Sequence, residues 1–419
     1  MRPFSFFLLG VFVLTFWGCE DATTPAGAAD GVSNFPNDDF FLRRMNPDGT
    51  YDWRAYEKAL MTTRDQLHER GDEPGFDLDW VVQGPGNIGA RINTIAVNPV
   101  DEDIIFVGFS HGGVWRTKDG GANWEPVFDD EIYPSISDIA FDPTNPSIVY
   151  VGTGDLNIPF NAFIGNGLYK SSDGGDSWEL LGLTDQRIIS KIIVDPENPN
   201  TIYAAAMGIP MAKNQDRGVY KTTDGGQTWT QVLFVSEQAG VIDMVMDPFD
   251  PQTLYAAGWD RHRTNKVSIV SGPGGRIFKT TDGGANWVML EGGLPILDKM
   301  GRTGLAISQK TPGLVFAVFV GANSQLYGIY RSEDAGAHWS EVPTDEDLTG
   351  LSGNALGGFG WYFGKIFVHP DNDDLLFLCG VDLWMGHDSI WEPATPPWWE
   401  YSVHADKHDL VFAPSGDMY

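Results

Sequence analysis

Seven times between residue 92 and the C-terminus, a short apolar segment runs into a turn of Pro, Asp and Asn and out into a second apolar segment. The copies begin at "INTIAVNPVDEDIIFVG" (92), "ISDIAFDPTNPSIVYVG" (136), "IISKIIVDPENPNTIYAA" (188), "GVIDMVMDPFDPQTLYAA" (240), "RTGLAISQKTPGLVFAV" (302), "YFGKIFVHPDNDDLLFL" (362) and "KHDLVFAPSGDMY" (407). Apolar runs of this length, bounded by turn formers, predict paired strands. A second string alternates with the first, as in "GVYKTTDGGQTW" (218–229), with further copies at 113–124, 167–178, 276–287 and 328–339. It predicts a third strand, a turn at Asp-Gly-Gly and a fourth strand that starts at the Trp. Four strands in a unit of about fifty residues make a propeller blade, so the pattern predicts an all-β propeller over residues 77–419.

The repeated string has the chemistry of a joint. An active site needs one constellation, whereas a repeated scaffold needs one joint per unit. The Asp side chain accepts amide hydrogens in a tight turn, the nearby Ser or Thr hydroxyl adds another contact, and Gly supplies positive φ. Asp119, Asp173, Asp224, Asp282 and Asp334 are therefore read as turn staples. Trp124, Trp178, Trp229, Trp287 and Trp339 are read as large rings packed between blades.

On these residues the chain resembles a known group. "SSDGGDSW" and "TTDGGQTW" are similar to the Asp-box, or BNR repeat, of sialidases, xyloglucanase-type glycoside hydrolases and the sortilin-type receptor domain. The sequential arrangement most resembles the sortilin and xyloglucanase branch of secreted bacterial proteins. The resemblance implies the fold, while function varies among Asp-box proteins, enzymes and non-enzymes alike.

The repeat count predicts seven blades with the last incomplete. "GVDLWMGHDSIWEP" keeps Trp384 and Trp391 but lacks the turn glycines. "KHDLVFAP" and "GDMY" supply only two strands, and "DWVVQG" (79–84) reads as an outer strand delivered to the closing blade from the N-terminal side. The expectation is a chain that continues past residue 419; the alternative is a six-blade ring with frayed ends.

Ahead of the propeller, Trp53, Tyr56, Leu60 and Leu67 recur at helical spacing and Gly71 stops the pattern, predicting an amphipathic helix over 51–71. Residues 19–50 read as a flexible tether. Residues 1–18 have the layout of a signal peptide: one Arg, an apolar run from Phe4 to Trp17, then Gly18-Cys19. A small residue directly before Cys resembles the bacterial lipoprotein cleavage box, so Cys19 is expected to be lipidated and to anchor an exported protein at the cell envelope. The competing reading is an ordinary signal peptide with Cys19 incidental. Cys379 is the other cysteine and reads as a buried apolar residue.

Charge narrows the partners. Asp and Glu number 57 against 27 Lys and Arg, a net charge of −30. Such a field repels nucleic acid and anionic headgroups and suits an extracellular protein, peptide or glycan partner.

Blade geometry puts the Asp-box and Pro/Asp turns on one face and the longer loops on the other, where binding sites concentrate. Trp259, Asp260, Arg261, Trp361 and Tyr362 on that face are the candidate ligand-binding residues, set against a reading of them as packing under long loops. The favoured function is ligand binding by an exported, sortilin-like propeller; the alternative is a glycoside hydrolase. A hydrolase of the xyloglucanase type needs two carboxylates, an acid and a base. The resemblance places one of them just before the Gly-Gly of blade one, where this chain has Ser110 and His111 in "FSHGGVWRT". The remaining candidates on that face are Asp155, Asp260, Asp382 and Asp406. His404, Asp406 and His408 alternate in "HADKH", so an extended segment would turn all three to one side, where a divalent metal such as zinc could be held. The competing and favoured reading is that the imidazoles hydrogen-bond to neighbouring loops; no cofactor is otherwise expected.

Overall fold

The computed structural model describes residues 53–70, 90–159, 163–264, 267–344, 349–351, 354–387, 390–396 and 405–419. The predicted signal peptide, the tether, the strand at 79–84, Cys19 and His404 lie outside these residues. A helix, α1 (Trp53–Arg70), precedes the sheets. None of the described helices is long and apolar enough to cross a membrane.

Blade one comprises β1 (Ile92–Val97), β2 (Ile105–Phe109), β3 (Val114–Thr117) and β4 (Glu125–Pro126). Blade two follows with β5 (Ile136–Phe141), β6 (Val149–Thr153), β7 (Leu168–Ser171) and β8 (Glu179–Gly182). Blade three is β9 (Ile189–Val194), β10 (Ile202–Ala206), β11 (Gly218–Thr222) and β12 (Thr230–Leu233). In blade four, β13 (Ala239–Asp247) and β14 (Asp250–Asp260) lead to a small hairpin, β15 (His262–Arg263) and β16 (Ser268–Ile269), before β17 (Ile277–Thr280) and β18 (Val288–Met289) complete the sheet. Blade five is β19 (Met300–Ile307), β20 (Val315–Gly321), β21 (Leu326–Ser332) and β22 (Ser340–Val342), and blade six is β23 (Ile366–His369), β24 (Asn372–Cys379), β25 (Leu383–His387) and β26 (Ile390–Pro393). All six are antiparallel meanders in strand order.

Second strands such as β10 and β20 are buried along their whole length, because neighbouring blades cover both faces of each sheet. This explains their unbroken apolar sequence where a one-sided sheet would alternate. The packing places the core between blades: Phe106 and Val149, for instance, share one cluster across blades one and two.

The expectation of seven blades is corrected to six four-stranded blades among the described residues. The strand–turn–strand pattern does occur a seventh time, but there it makes only a hairpin. Val411 and Tyr419 exchange both backbone hydrogen bonds, and the Ala413 amide donates to the Asp417 carbonyl. Leu410 joins the Phe377 and Cys379 cluster of blade six, while Ala413 packs with Val97 and Ile105 of blade one. The hairpin thus bridges the last and first sheets. Counting apolar repeats could not separate a hairpin from a full blade.

Each Asp-box turn is stitched to the Pro/Asp turn of its own blade. The amides of Gly120, Gly174, Gly225, Gly283 and Ala335 donate to the carbonyls of Asp103, Ser147, Asn200, Gln252 and Gly313. The two turn types therefore share one face and leave the longer loops on the other. The tryptophans behave unequally. Trp178 and Trp229 donate from Nε1 to the carbonyls of Val127 and Leu181 in the preceding blade, Trp287 packs beside Val232, and Trp339 is buried. Trp124 departs from the inter-blade reading at 39% exposed, since no complete four-stranded blade precedes it among the described residues. In blade six, buried Trp391 supplies the ring that the missing glycines had obscured.

Candidate functional site

The long connection after β6 dips into the loop face instead of rising from it. Asp155, Leu156, Asn157 and Ile158 are all buried, and Ile158 takes φ 44°. Polar side chains from distant blades hold this segment down. Arg91 donates from Nη2 to Asp155 and from Nη1 to the Tyr362 hydroxyl. The Asn157 amide donates to Asn93 Oδ1 at 3.1 Å, and Arg302 Nη1 donates to Asn157 Oδ1 at 2.7 Å. The Arg261 guanidinium reaches the Ile158 carbonyl and lies 5.5 Å from the Trp259 ring centre. Arg302 lies 5.7 Å from the same ring. Burial lowers the pKa of Arg302 to about 10 and that of Arg261 to about 9, which leaves both charged at neutral pH. Together these groups form a plug over the channel at the centre of the loop face.

The plug overturns several expectations. Trp259, Asp260 and Arg261 are buried, so none of them is an exposed binding residue. Asp260 accepts from the Gly274 amide and the Gln238 side chain, holding a loop in place. Asp155 is fully buried beside Arg91; burial pushes its carboxyl up while Arg91 opposes it. A substrate cannot reach either carboxylate. Trp361 and Tyr362 are half-buried and packed at 5.1 Å against each other, with Tyr362 tied to Arg91. Phe359, which sequence reasoning missed, is the open aromatic of that loop at 52% exposed.

Asp382 and Asp406 are different. Asp382 is half-buried and Asp406 is exposed. The Asp406 amide donates to the Val381 carbonyl at 2.9 Å and the Lys407 amide to the Gly380 carbonyl at 2.8 Å. The β24–β25 turn and the segment entering the closing hairpin are thereby joined, with a carboxylate on each. Burial raises the phenol pKa of Tyr362 and Arg91 opposes it, with smaller upward contributions from Asp155 and then Asp406.

Of the three residues of the metal reading, His404 lies outside the described residues. His408 is buried, meets the Tyr362 ring edge-on at 4.5 Å, and has its pKa driven down to about 2 by burial and by Arg91, Lys365 and Arg302. An imidazole ringed by cations repels a further cation. Asp406 is exposed, and no cluster of metal-binding side chains occurs among the described residues. Ser110 is buried, and exposed His111 stacks at 4.2 Å on Phe163.

The sortilin family model (Sortilin, neurotensin receptor 3) matches residues 166–295. A xyloglucanase of Acetivibrio thermocellus is 22% identical over 374 residues, covering 79% of this chain and 41% of its own. An oligoxyloglucan-reducing end-specific xyloglucanase of Emericella nidulans is 23% identical over 346 residues, covering 71% of this chain and 37% of its own. The chain thus spans about two fifths of the length of these relatives. Among solved structures, an ancestral GH74 enzyme superposes with TM-score 0.58 at 19% identity, covering 78% of this chain and 42% of that one. The GH74 enzyme of Niastella koreensis gives TM-score 0.54 at 19% identity, over 78% and 50% of the two chains. The six blades, the five Asp-box turns and these matches lead to one conclusion: the chain is an Asp-box β-propeller similar to the sortilin-type and xyloglucanase-type propellers.

Proposed function

We propose that the chain is a glycoside hydrolase-type propeller acting on a polysaccharide of the xyloglucan class, with Asp382 and Asp406 as its acid and base. One observation carries the reading: of the four candidate carboxylates, the only two that solvent reaches stand on hydrogen-bonded neighbouring segments, with Tyr362 within electrostatic reach of Asp406. Two carboxylates flanking one bond are what glycoside hydrolysis needs, and aromatic rings suit the apolar faces of sugars. The names of the relatives set the substrate class. The test is reducing-sugar release from xyloglucan by the purified protein. Activity is expected in the wild type and a loss of about a hundredfold or more in Asp382→Asn and Asp406→Asn, the scale of a lost acid or base.

A second reading, capture of a glycan, peptide or protein without hydrolysis, is favoured by the sortilin match over 166–295. Binding of xyloglucan with no release of reducing ends in any form of the protein would select it. For location we propose export, with Cys19 lipidated at the mature N-terminus. Cys19→Ser is expected to move the protein from the membrane fraction to the soluble one; unchanged membrane partition would remove the anchor.

A further inference from the structure

On a chain whose net charge is −30, the loop face of blades three and four concentrates positive charge. The connection after β14 forms the β15–β16 hairpin, and the connection after β10, residues 207–217, is bonded to it. The Arg263 amide donates to the Pro210 carbonyl at 2.7 Å, and Arg217 Nη1 donates to the Arg261 carbonyl at 3.3 Å. Lys213, Arg217, Arg261, His262 and Arg263 all stand on these two segments. Arg217 and Arg261 are buried and hold carbonyls in place of carboxylates. Arg217 donates to Ile209 at 2.7 Å and Gln238 at 3.0 Å, and Arg261 to Ile269 at 3.1 Å. Burial lowers their pKa values to about 10 and about 9, so both stay charged at neutral pH. The carboxylates that act on Arg217 are Asp260 and Asp216. Asp260 is committed to the Gly274 amide and the Gln238 side chain, and Asp216 is shared with Arg54 and Arg187. The charges acting on His262 are Arg217, Lys213 and Arg261, all cations. Lys213 is exposed, while His262 and Arg263 are half-buried, so solvent reaches these groups.

We propose that the β15–β16 hairpin and residues 210–217 form a site for an oxyanion, contacted by Lys213 and Arg263 above the buried charges of Arg217 and Arg261. A guanidinium removed from water without a bonded counter-ion sets up a field that solvent screens poorly. That field repels a cation, and it gives a neutral hydroxyl little beyond the hydrogen bonds water already supplies. An oxyanion gains charge-assisted hydrogen bonds and supplies the counter-charge that the buried arginines lack. The acidic remainder of the chain does not cancel this, since salt screens exposed charges beyond roughly 8 Å. Two sources carry such a group, a free inorganic anion and the carboxylate of an acidic sugar. The site stands on blades three and four, apart from Asp382 and Asp406, and does not rest on their catalytic reading.

The experiment is calorimetric titration of the full chain and its variants with sodium sulfate and with trigalacturonate. Saturable binding of at least one of the two is expected, weakening as sodium chloride is added. Lys213→Glu and Arg263→Gln should each reduce the affinity by about tenfold, the scale of one lost hydrogen bond to a charged group. Lys213 is exposed, so Lys213→Glu keeps the fold and the comparison stands. Tighter binding of trigalacturonate than of sulfate identifies an acidic sugar as the source, and binding of sulfate alone identifies the free anion. Either should persist in the Asp382→Asn/Asp406→Asn double variant. Failure of both anions to bind the wild type, an affinity that Lys213→Glu leaves unchanged, or loss of binding in the double variant would each overturn the proposal.

Discussion

At the scale of single residues, the Asp boxes store their stability in carboxylates that stay ionised. Asp224 accepts from the hydroxyls of Thr228 and Thr222 and from the Thr228 amide, at 2.6, 2.7 and 2.9 Å. These contacts hold its pKa at about 2, led by the Thr228 hydroxyl, and Asp173, Asp282 and Asp334 are held at about 2 by equivalent bonds. The folded pKa lies below the ordinary 3.8, so the contribution is complete above about pH 4 and disappears as pH falls through 2. Asp224→Ala is therefore expected to unfold at a lower temperature at pH 7, with a gap from wild type that closes between about pH 4 and 2. A gap independent of pH in thermal melts would show that the carboxylate charge is irrelevant to the turn. The fifth box offers the converse test. Gly225 occupies φ 73° at the first turn position, where blade five has Ala335 at φ 56°. A Cβ in that region costs roughly 1–2 kcal/mol, part of which the added freedom of Gly in the unfolded chain cancels. Ala335→Gly should thus raise stability by about 1 kcal/mol or less in denaturant melts.

Between elements, what the sequence revealed depends on how far apart the interacting residues lie. Strands, Asp boxes and their shared face were legible because each rests on contacts within one blade, such as Thr222 with Asp224, two residues apart. The plug was hidden because its partners are remote: Arg91 meets Asp155 from 64 residues away, and Arg302 meets Asn157 from 145. A Trp-Asp-Arg string reads the same whether the loops around it open outward or fold over it, so burial of Trp259, Asp260 and Arg261 could not be inferred. Helix α1 is a similar case. Its apolar spacing was visible, but its docking partner was not. Glu57 receives both terminal nitrogens of Arg187, at 3.0 and 2.7 Å, and Arg54 reaches Asp185 at 3.4 Å. The exposed Arg54 pair contributes little, whereas Arg187 is buried and its bidentate bond fixes the helix on blades two and three. Glu57→Ala is expected to free α1: trypsin should cut within 53–70 faster, while the propeller resists as before. Equal cleavage rates would place the anchorage of the helix elsewhere.

For the whole molecule, the decisive contact is the one that closes the ring. Three aspartates, on β5, β13 and the segment entering the closing hairpin, each accept the edge amide of the following sheet: Asp138 from Ile192 at 2.7 Å, Asp243 from Leu305 at 2.9 Å and Asp409 from Ile95 at 2.9 Å. The first two join sheets that also pack through extensive cores. Asp409 instead joins a two-strand hairpin to blade one, across more than three hundred residues of chain, and also receives Lys365 of blade six at 2.8 Å. One side chain therefore links the first sheet, the last sheet and the hairpin between them. Open propellers expose the edge and flank of their terminal blades, as Trp124 already does on blade one. Asp409→Ala leaves the Lys365 ammonium and the Ile95 amide without this acceptor, a loss of about 1–3 kcal/mol. The consequence should be directional. Hydrogen exchange should accelerate first in β1, β23 and residues 405–419, with blades three and four unchanged, and the variant should gain susceptibility to proteolysis at the hairpin. Asp138→Ala, which cuts the same kind of bond inside the ring, should lose comparable stability without singling out the seam. If the two variants exchange alike, closure is spread evenly around the ring and Asp409 is one clamp among equals.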